Sequence, residues 1–220
     1  MPTIEELKAA CQTYASSWDY DRSYFHFCSE TEGSPNLFRE DHRTLLLTWL
    51  NSWGCRQFSK AYHPLASSEI LDWYSEHLAN LPSSTEYLSE LPEEKLPAIQ
   101  AAYESLSSKS ASFRPRKGHP TPIRITVSET GVSKILFALR PHVFLPWDKD
   151  IRNFHRKKYG IASYSHFIKH AKTRENELRD ECAKRNLDFF AIPLIINRPK
   201  SSIPKLLDEM FKRGCRIICG

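Results

Sequence analysis

The chain has 220 residues, 40% of them apolar, with twelve Phe, nine Tyr and five Trp, enough for one globular domain or two small helical lobes around a packed core. No run of eighteen apolar residues occurs, which excludes a membrane-spanning helix, and the opening MPTIEELKAACQTYASSW lacks the basic start and apolar core of a secretory leader. The formal net charge of +5 hides an asymmetry, a balance of −8 over residues 1–100 and +13 over residues 101–220. Six cysteines are scattered, and only Cys215 and Cys219 lie close together, with no matching Cys or His pair. Free thiols in a reducing cytoplasm are expected, with no metal site and no cofactor.

In chain order, Ile4 to Ala15 makes an amphipathic helix, with Thr3 and Glu6 spaced as a capping box. Ser29 to Arg39 is a loop. Asp41 opens a second helix through Leu50, which breaks at Gly54 within the polar stretch Asn51 to Arg56. Ser67 or Ser68 caps a helix through Leu78, and Pro92 or Pro97 starts one that runs to about Leu106. Ser107 to Pro122 holds Pro115, Gly118, Pro120 and Pro122 and reads as a hinge between lobes 1–106 and 123–220. Ile123 to Val127 alternates like a strand, yet its helical surroundings favour the first turn of a helix. Gly131 then begins a helix ended by Pro141, and Asp148 begins one stopped by Gly160. Ser163 or Ser165 opens a long helix to about Arg185. Ser202 and Pro204 open a last one through Leu206, Leu207 and Phe211. The fold class is mainly α.

Two basic tracts without any acid account for the asymmetry. Lys109, Arg114, Arg116, Lys117 and Arg124 lie between Ser105 and Ser128. Arg152, Arg156, Lys157, Lys158, Lys169, Lys172 and Arg174 lie between Ile151 and Arg174. A charge run is often only a solvated face, but these two flank one segment, Gly131 to Arg152, and so suggest a polyanion-binding face around a site.

That segment, GVSKILFALRPHVFLPWDKDIR, places Lys134 as the sole charge in an apolar run and Asp148 fourteen residues later, at the next helix start. An amine among apolar neighbours loses hydration of its ammonium form and becomes nucleophilic. A nearby carboxylate can stabilise positive charge or accept a proton. The same residues also fit structural roles, with Lys134 snorkelling along its helix and Asp148 capping the next.

The order of turn, lysine, apolar helix, proline-bounded loop, aspartate and basic helix resembles the helix-hairpin-helix DNA glycosylases, most closely their 8-oxoguanine branch. Thr130, Gly131, Val132 and Ser133 match the hairpin end, Lys134 the lysine, and Pro146, Trp147 and Asp148 the aspartate setting; the resemblance is closest over residues 121–160. It implies a two-lobed helical fold with the active site in the interlobe cleft. It also implies a DNA N-glycosylase in which Lys134 attacks C1′, with β-lyase activity open to it, and Asp148 stabilises the developing cation. Double-stranded DNA would be held by Arg114, Arg116, Lys117, Gly131, Ser133, Arg152, Arg156, Lys157 and Lys158, with the protein a cytoplasmic monomer. Asn51, Trp53 and Arg56 are candidates for reading the opposite strand, Phe189 and Phe190 for a base pocket. Two alternatives stand beside repair: removal of a bulky modified base from viral DNA as antiviral defence, and a non-catalytic DNA-binding module.

Overall fold

The structure, a computed structural model, describes residues 3–17 and 20–219. Within them the chain is mainly helical. In the first half lie α1 (Ile4–Ser17), α2 (Tyr20–Glu30), α3 (Glu40–Ser52), α4 (His63–His77) and α5 (Leu96–Ser108). A two-stranded ribbon follows, β1 (Ser110–Arg114) and β2 (Ile123–Thr126). Then come α6 (Glu129–Leu139), α7 (Lys149–Tyr159), α8 (Tyr164–Lys184), the single turn α9 (Ile192–Ile195) and α10 (Ile203–Cys219).

Local chemistry sets most boundaries. Thr3 and Glu6 cap α1 reciprocally, with the Thr3 N–H on Glu6 Oε2 at 2.9 Å and the Glu6 N–H on Thr3 Oγ1 at 3.2 Å. Asp148 caps α7 and Ser163 caps α8. Gly160 ends α7 at φ +68°, a left-handed position that suits glycine. Gly54, at φ +79°, turns the chain out of α3, and the Cys55 N–H closes the turn on the Leu50 carbonyl at 2.9 Å. The fourth helix begins earlier than its serines suggest. It opens at His63 with Pro64 in the first turn, and Ser67 instead accepts the Nε–H of buried Arg43 at 2.7 Å.

The segment from Ser107 to Pro122 forms a ribbon. Residues 107 and 108 finish α5, and the rest leaves along β1, turns through the Pro- and Gly-rich tip and returns along β2. Ile123 to Thr126 is therefore a strand and not a first helical turn, because three prolines and Gly118 at φ +76° favour reversal, and the alternating side chains then pair antiparallel with β1. Ala111 forms a bulge between Ser110 and Ser112 and is fully buried. Arg124 secures the base, donating to Ser110 Oγ and to the Ser108 carbonyl, both at 2.7 Å.

One apolar cluster draws residues from Ile4 to Cys215. Inside it Trp147 stacks on Phe167 and Tyr103 on Tyr164, with centroids 5.5 and 4.5 Å apart. Two buried polar tips find partners: Trp73 Nε1–H donates to the Ala102 carbonyl at 2.8 Å, and the Tyr164 hydroxyl to that of Leu145 at 3.0 Å. Helix α10 packs against α1, α7 and α8, while α6 packs against α3 and α5. These two helices, with the start of α7, carry the candidate catalytic groups and the charges around them.

Three titratable groups, His155 and Glu175 buried and His170 half-buried, make stability depend on pH in opposite senses. Burial pushes the imidazole of His155 down to about 4, and burial with the neighbouring His155 does the same to His170. Their rings lie 5.3 Å apart beside Phe211. Burial raises the Glu175 carboxyl to about 7 although it accepts the Ser89 N–H at 3.0 Å. A histidine held below its ordinary 6.5 supports the fold above that pH and loses this support as pH falls towards 4. A carboxyl held above its ordinary 4.5 supports the fold at low pH and loses this as pH rises through 7. Glu175→Gln keeps the acceptor and removes the titration. Urea unfolding at pH 4.5 to 7 is expected to show the variant gaining on the parent by about 3 kcal/mol across that range, and a constant difference would refute the assignment.

Candidate active site

Lys134 lies on α6, whose face toward the core is apolar, and it is only 7% exposed. Its Nζ donates to the Trp53 carbonyl at 2.6 Å and sits 5.2 Å from the centre of the Trp53 ring. That carbonyl is available because α3 has just ended at the Gly54 turn. Burial lowers the pKa of the Lys134 amine, Cys55 opposes this, Lys212 adds to it, and Asp148 and Asp208 pull back.

Asp148 stands at the N-terminus of α7. Its Oδ1 accepts the N–H groups of Asp150 and Ile151, each at 3.1 Å, which satisfies two free donors of the first turn. Its Oδ2 faces Lys212 Nζ at 3.6 Å. The relation between the two elements is fixed one residue away from each. The Trp147 N–H, just before Asp148, donates at 2.8 Å to the Oγ of Ser133, just before Lys134. Ser133 in turn donates to the Thr130 carbonyl at 3.1 Å.

Several residues that the sequence offers for DNA binding are engaged inside the protein. Ser133 is fully buried in its link to Trp147. Gly131 is buried too, and its N–H is taken by the cap Ser128 at 3.2 Å. A Cβ there would lie 2.4 Å from Gln57 Nε2, which itself donates to Ser128. Glycine at 131 thus leaves room for the Gln57 side-chain amide. Arg152 is spent on the Trp147 carbonyl at 2.6 Å, Thr130 Oγ1 at 3.1 Å and Glu129 at 3.1 Å. Arg114, Arg116 and Lys117 on the ribbon, and Arg156, Lys157 and Lys158 on α7, are exposed.

The opposite-strand candidates divide similarly. Trp53 is buried between Trp49 and Phe137, Asn51 is within 3.0 Å of the His63 ring nitrogen, and Arg56 is exposed. Phe189 and Phe190 are brought together with Arg179, whose guanidinium lies 4.5 and 5.5 Å from their rings, and Phe190 also meets Tyr87. Among the described residues, no ring contact or ion pair joins this aromatic pair to Lys134 or Asp148.

What the sequence does not reveal is the polar face of α10. Lys205, Asp208, Glu209 and Lys212 recur at helical spacing. The first three are buried and Lys212 is half-buried. Lys205 Nζ pairs with Glu209 at 2.6 Å and Asp21 at 3.2 Å, and lies 4.3 Å from the Tyr14 ring centre. Arg198 grips Glu209 through two bonds of 2.7 and 2.8 Å and also pairs with Asp21. Lys212 pairs with Asp208 at 3.3 Å. Burial raises the Asp208 carboxyl, with Lys212 and Lys205 opposing. Lys134 and Lys205 both approach the Trp53 ring, so this charged face and the candidate site share one aromatic wall. Such spacing of mixed charges ordinarily marks a solvated helix face, which is why sequence alone does not place it inside.

Among the described residues no group of three or more His, Cys, Asp or Glu could hold a metal ion, and no described helix is long and apolar enough to cross a membrane. No protein-family model matches the chain, nor does any curated protein or solved structure.

Ser133→Ala removes the acceptor of a buried N–H without adding bulk. Chemical unfolding is expected to show a loss of about 1–3 kcal/mol, well above the few tenths of a kcal/mol typical of an exposed serine.

Proposed function

We propose that the chain is a DNA N-glycosylase acting on a damaged or modified base in double-stranded DNA. The observation that carries this reading is a buried amine on α6 within electrostatic reach of a carboxylate at the start of α7, with one hydrogen bond fixing the two elements. In the proposed reaction the target nucleotide leaves the stack. The C1′–N bond breaks with its electron pair going to the base, which takes up a proton. Asp148 stabilises the positive charge that develops at C1′. The neutral amine of Lys134 bonds to C1′ and gives up a proton, and opening of the sugar leaves an imine from which β-elimination can cut the strand.

The proposal includes the two-lobed arrangement, with Lys134 and Asp148 lining the cleft and a monomer engaging DNA. The Lys134–Trp53 bond, between residues 81 apart in sequence, supports a site assembled from both halves of the chain. The exposed basic residues of the ribbon tip and α7 supply the hold on phosphates. A non-catalytic DNA-binding module is the second reading. It is favoured by the bond from Lys134 Nζ to the Trp53 carbonyl, which is also what a purely structural lysine would make.

Borohydride is expected to trap a covalent adduct between the protein and DNA bearing the right base. Lys134→Gln should abolish it while leaving DNA binding within about twofold. Asp148→Asn should slow base release, yet cost less stability than Asp148→Ala, because asparagine caps a helix nearly as well as aspartate and alanine loses about 0.5–2 kcal/mol. Unimpaired base release in Lys134→Gln would assign the attack to water. Binding without base release on DNAs carrying oxidised, alkylated and glycosylated bases would favour the second reading.

Neutralising Arg156, Lys157 and Lys158 together should weaken binding to all sequences. The slope of log affinity against log salt should flatten by about 0.9 for each phosphate that α7 no longer neutralises. An unchanged slope would remove α7 from the interface.

A further inference from the structure

We propose that Lys212 is a positioning residue for Lys134: its ammonium, held between Asp148 and Asp208, makes the proton reside on Lys212 and leaves Lys134 as the free amine of the pair. The geometry distributes the carboxylates unequally. Lys212 Nζ faces Asp208 Oδ2 at 3.3 Å and Asp148 Oδ2 at 3.6 Å, with the Tyr14 ring centre at 5.3 Å. The immediate partners of Lys134 Nζ are the neutral Trp53 carbonyl at 2.6 Å and the Cys55 thiol. A neutral amine can still donate that hydrogen bond, since it keeps N–H groups after losing its proton.

Asp208 explains why Lys212 stays charged. It is fully buried, neither of its oxygens has a hydrogen-bond partner, and the ion pair with Lys212 is its nearest compensation. Burial favours its neutral form, and the Lys212 cation opposes that, so Asp208 and Lys212 keep each other charged. Burial acts to lower the Lys212 pKa, but Asp208 and Asp148 outweigh it and the net direction is upward. For Lys134, burial acts first, and Lys212 drives the amine further in the same direction. The titratable groups that act most on Lys134 are Cys55 from the connection after α3, Asp148 from the start of α7, and Asp208 and Lys212 from α10. Lys212 is the cation among these four; Lys205, which shares the Trp53 ring with Lys134, is paired with Glu209 and Asp21. A like charge beside a buried lysine is a general way to free an amine at neutral pH.

The role of Lys134 as nucleophile rests on the glycosylase reading, but the test does not. Isotope-coded reductive methylation of the full chain at a series of pH values, read by mass spectrometry on the Lys134 peptide, gives the titration of that amine without DNA. Lys212→Met is expected to move it upward by about one to two pH units, the effect of one charge within roughly ten ångströms at an effective dielectric near 20. Lys212→Arg, which keeps the charge, should titrate as the parent. Lys212→Met leaves Asp208 buried without its partner and can fail to fold, so the double variant Asp208→Asn with Lys212→Met removes both charges. Its Lys134 should move in the same direction by less. Parent-like titration of Lys134 in whichever charge-removing variants fold overturns the proposal, as does an Arg variant that behaves like the Met variant. Absence of a borohydride adduct in the parent would count against the glycosylase reading alone. If base release is found, the rising limb of its pH profile should shift with the amine.

Discussion

The hydrogen bond from the Trp147 N–H to Ser133 Oγ, 2.8 Å long and wholly inside the protein, holds the candidate site in register. Lys134 belongs to a helix seated on α3 and α5, Asp148 to one seated against α10. Without a tie between them, each would follow its own packing. Because the bond joins the residues immediately preceding the two, a shift of the Asp148 loop must break it and leave a buried donor unpaired, at a cost of about 1–3 kcal/mol. Arg152 adds a second tie, reaching from α7 to the carbonyl of Trp147 and to Thr130 at the start of α6. The site's precision thus comes from short links near the reacting groups, backed by the Trp147–Phe167 stack.

Around that link the protein keeps many charges away from water. Buried ion pairs are weak sources of stability, since desolvation consumes most of the Coulomb gain, but removing one member is costly. The cluster on α10 follows this logic. Arg198, Glu209, Lys205 and Asp21 are ion-paired at 2.6–3.2 Å, apart from the still closer Arg198–Asp21 contact. The Asp208–Lys212–Asp148 series is looser, at 3.3 and 3.6 Å. The tight half behaves as a fastener between α10, α2 and the segment before α10, and the loose half borders Lys134. A charged assembly with slack on only one side is suited to responding on that side.

Much of this is legible in the sequence where a local rule operates. The capping box at Thr3 and Glu6, the caps at Asp148 and Ser163, and the left-handed Gly160 all fall where residue chemistry puts them. The adjacency of Lys134 to a turn and of Asp148 to a helix start is visible for the same reason. Rules that depend on distant partners leave no such trace. The ribbon reads as a hinge because Pro and Gly announce a reversal without saying whether the arms will pair. Gly131, Ser133 and Arg152 look like phosphate ligands by type, and only their burial and their partners across the fold reveal that they brace α6. The charged face of α10 carries no local mark of its burial, which comes from α1 and Asp21.

The ribbon is closed at its base before it projects. The Val127 N–H bonds to the Lys109 carbonyl at 3.0 Å, Ala111 is sunk into the core, and Arg124 ties the second strand back to the end of α5. Everything from Arg114 to Ile123 lies outside that clasp and is exposed. Its length is consequently decoupled from the geometry of α5 and α6: residues can be added to or removed from the tip without altering how those helices meet. The protein therefore carries a module boundary within a single chain of contacts. Grafting a loop of different reach or charge onto this clasp would change what the molecule touches while leaving the scaffold around Lys134 as it is.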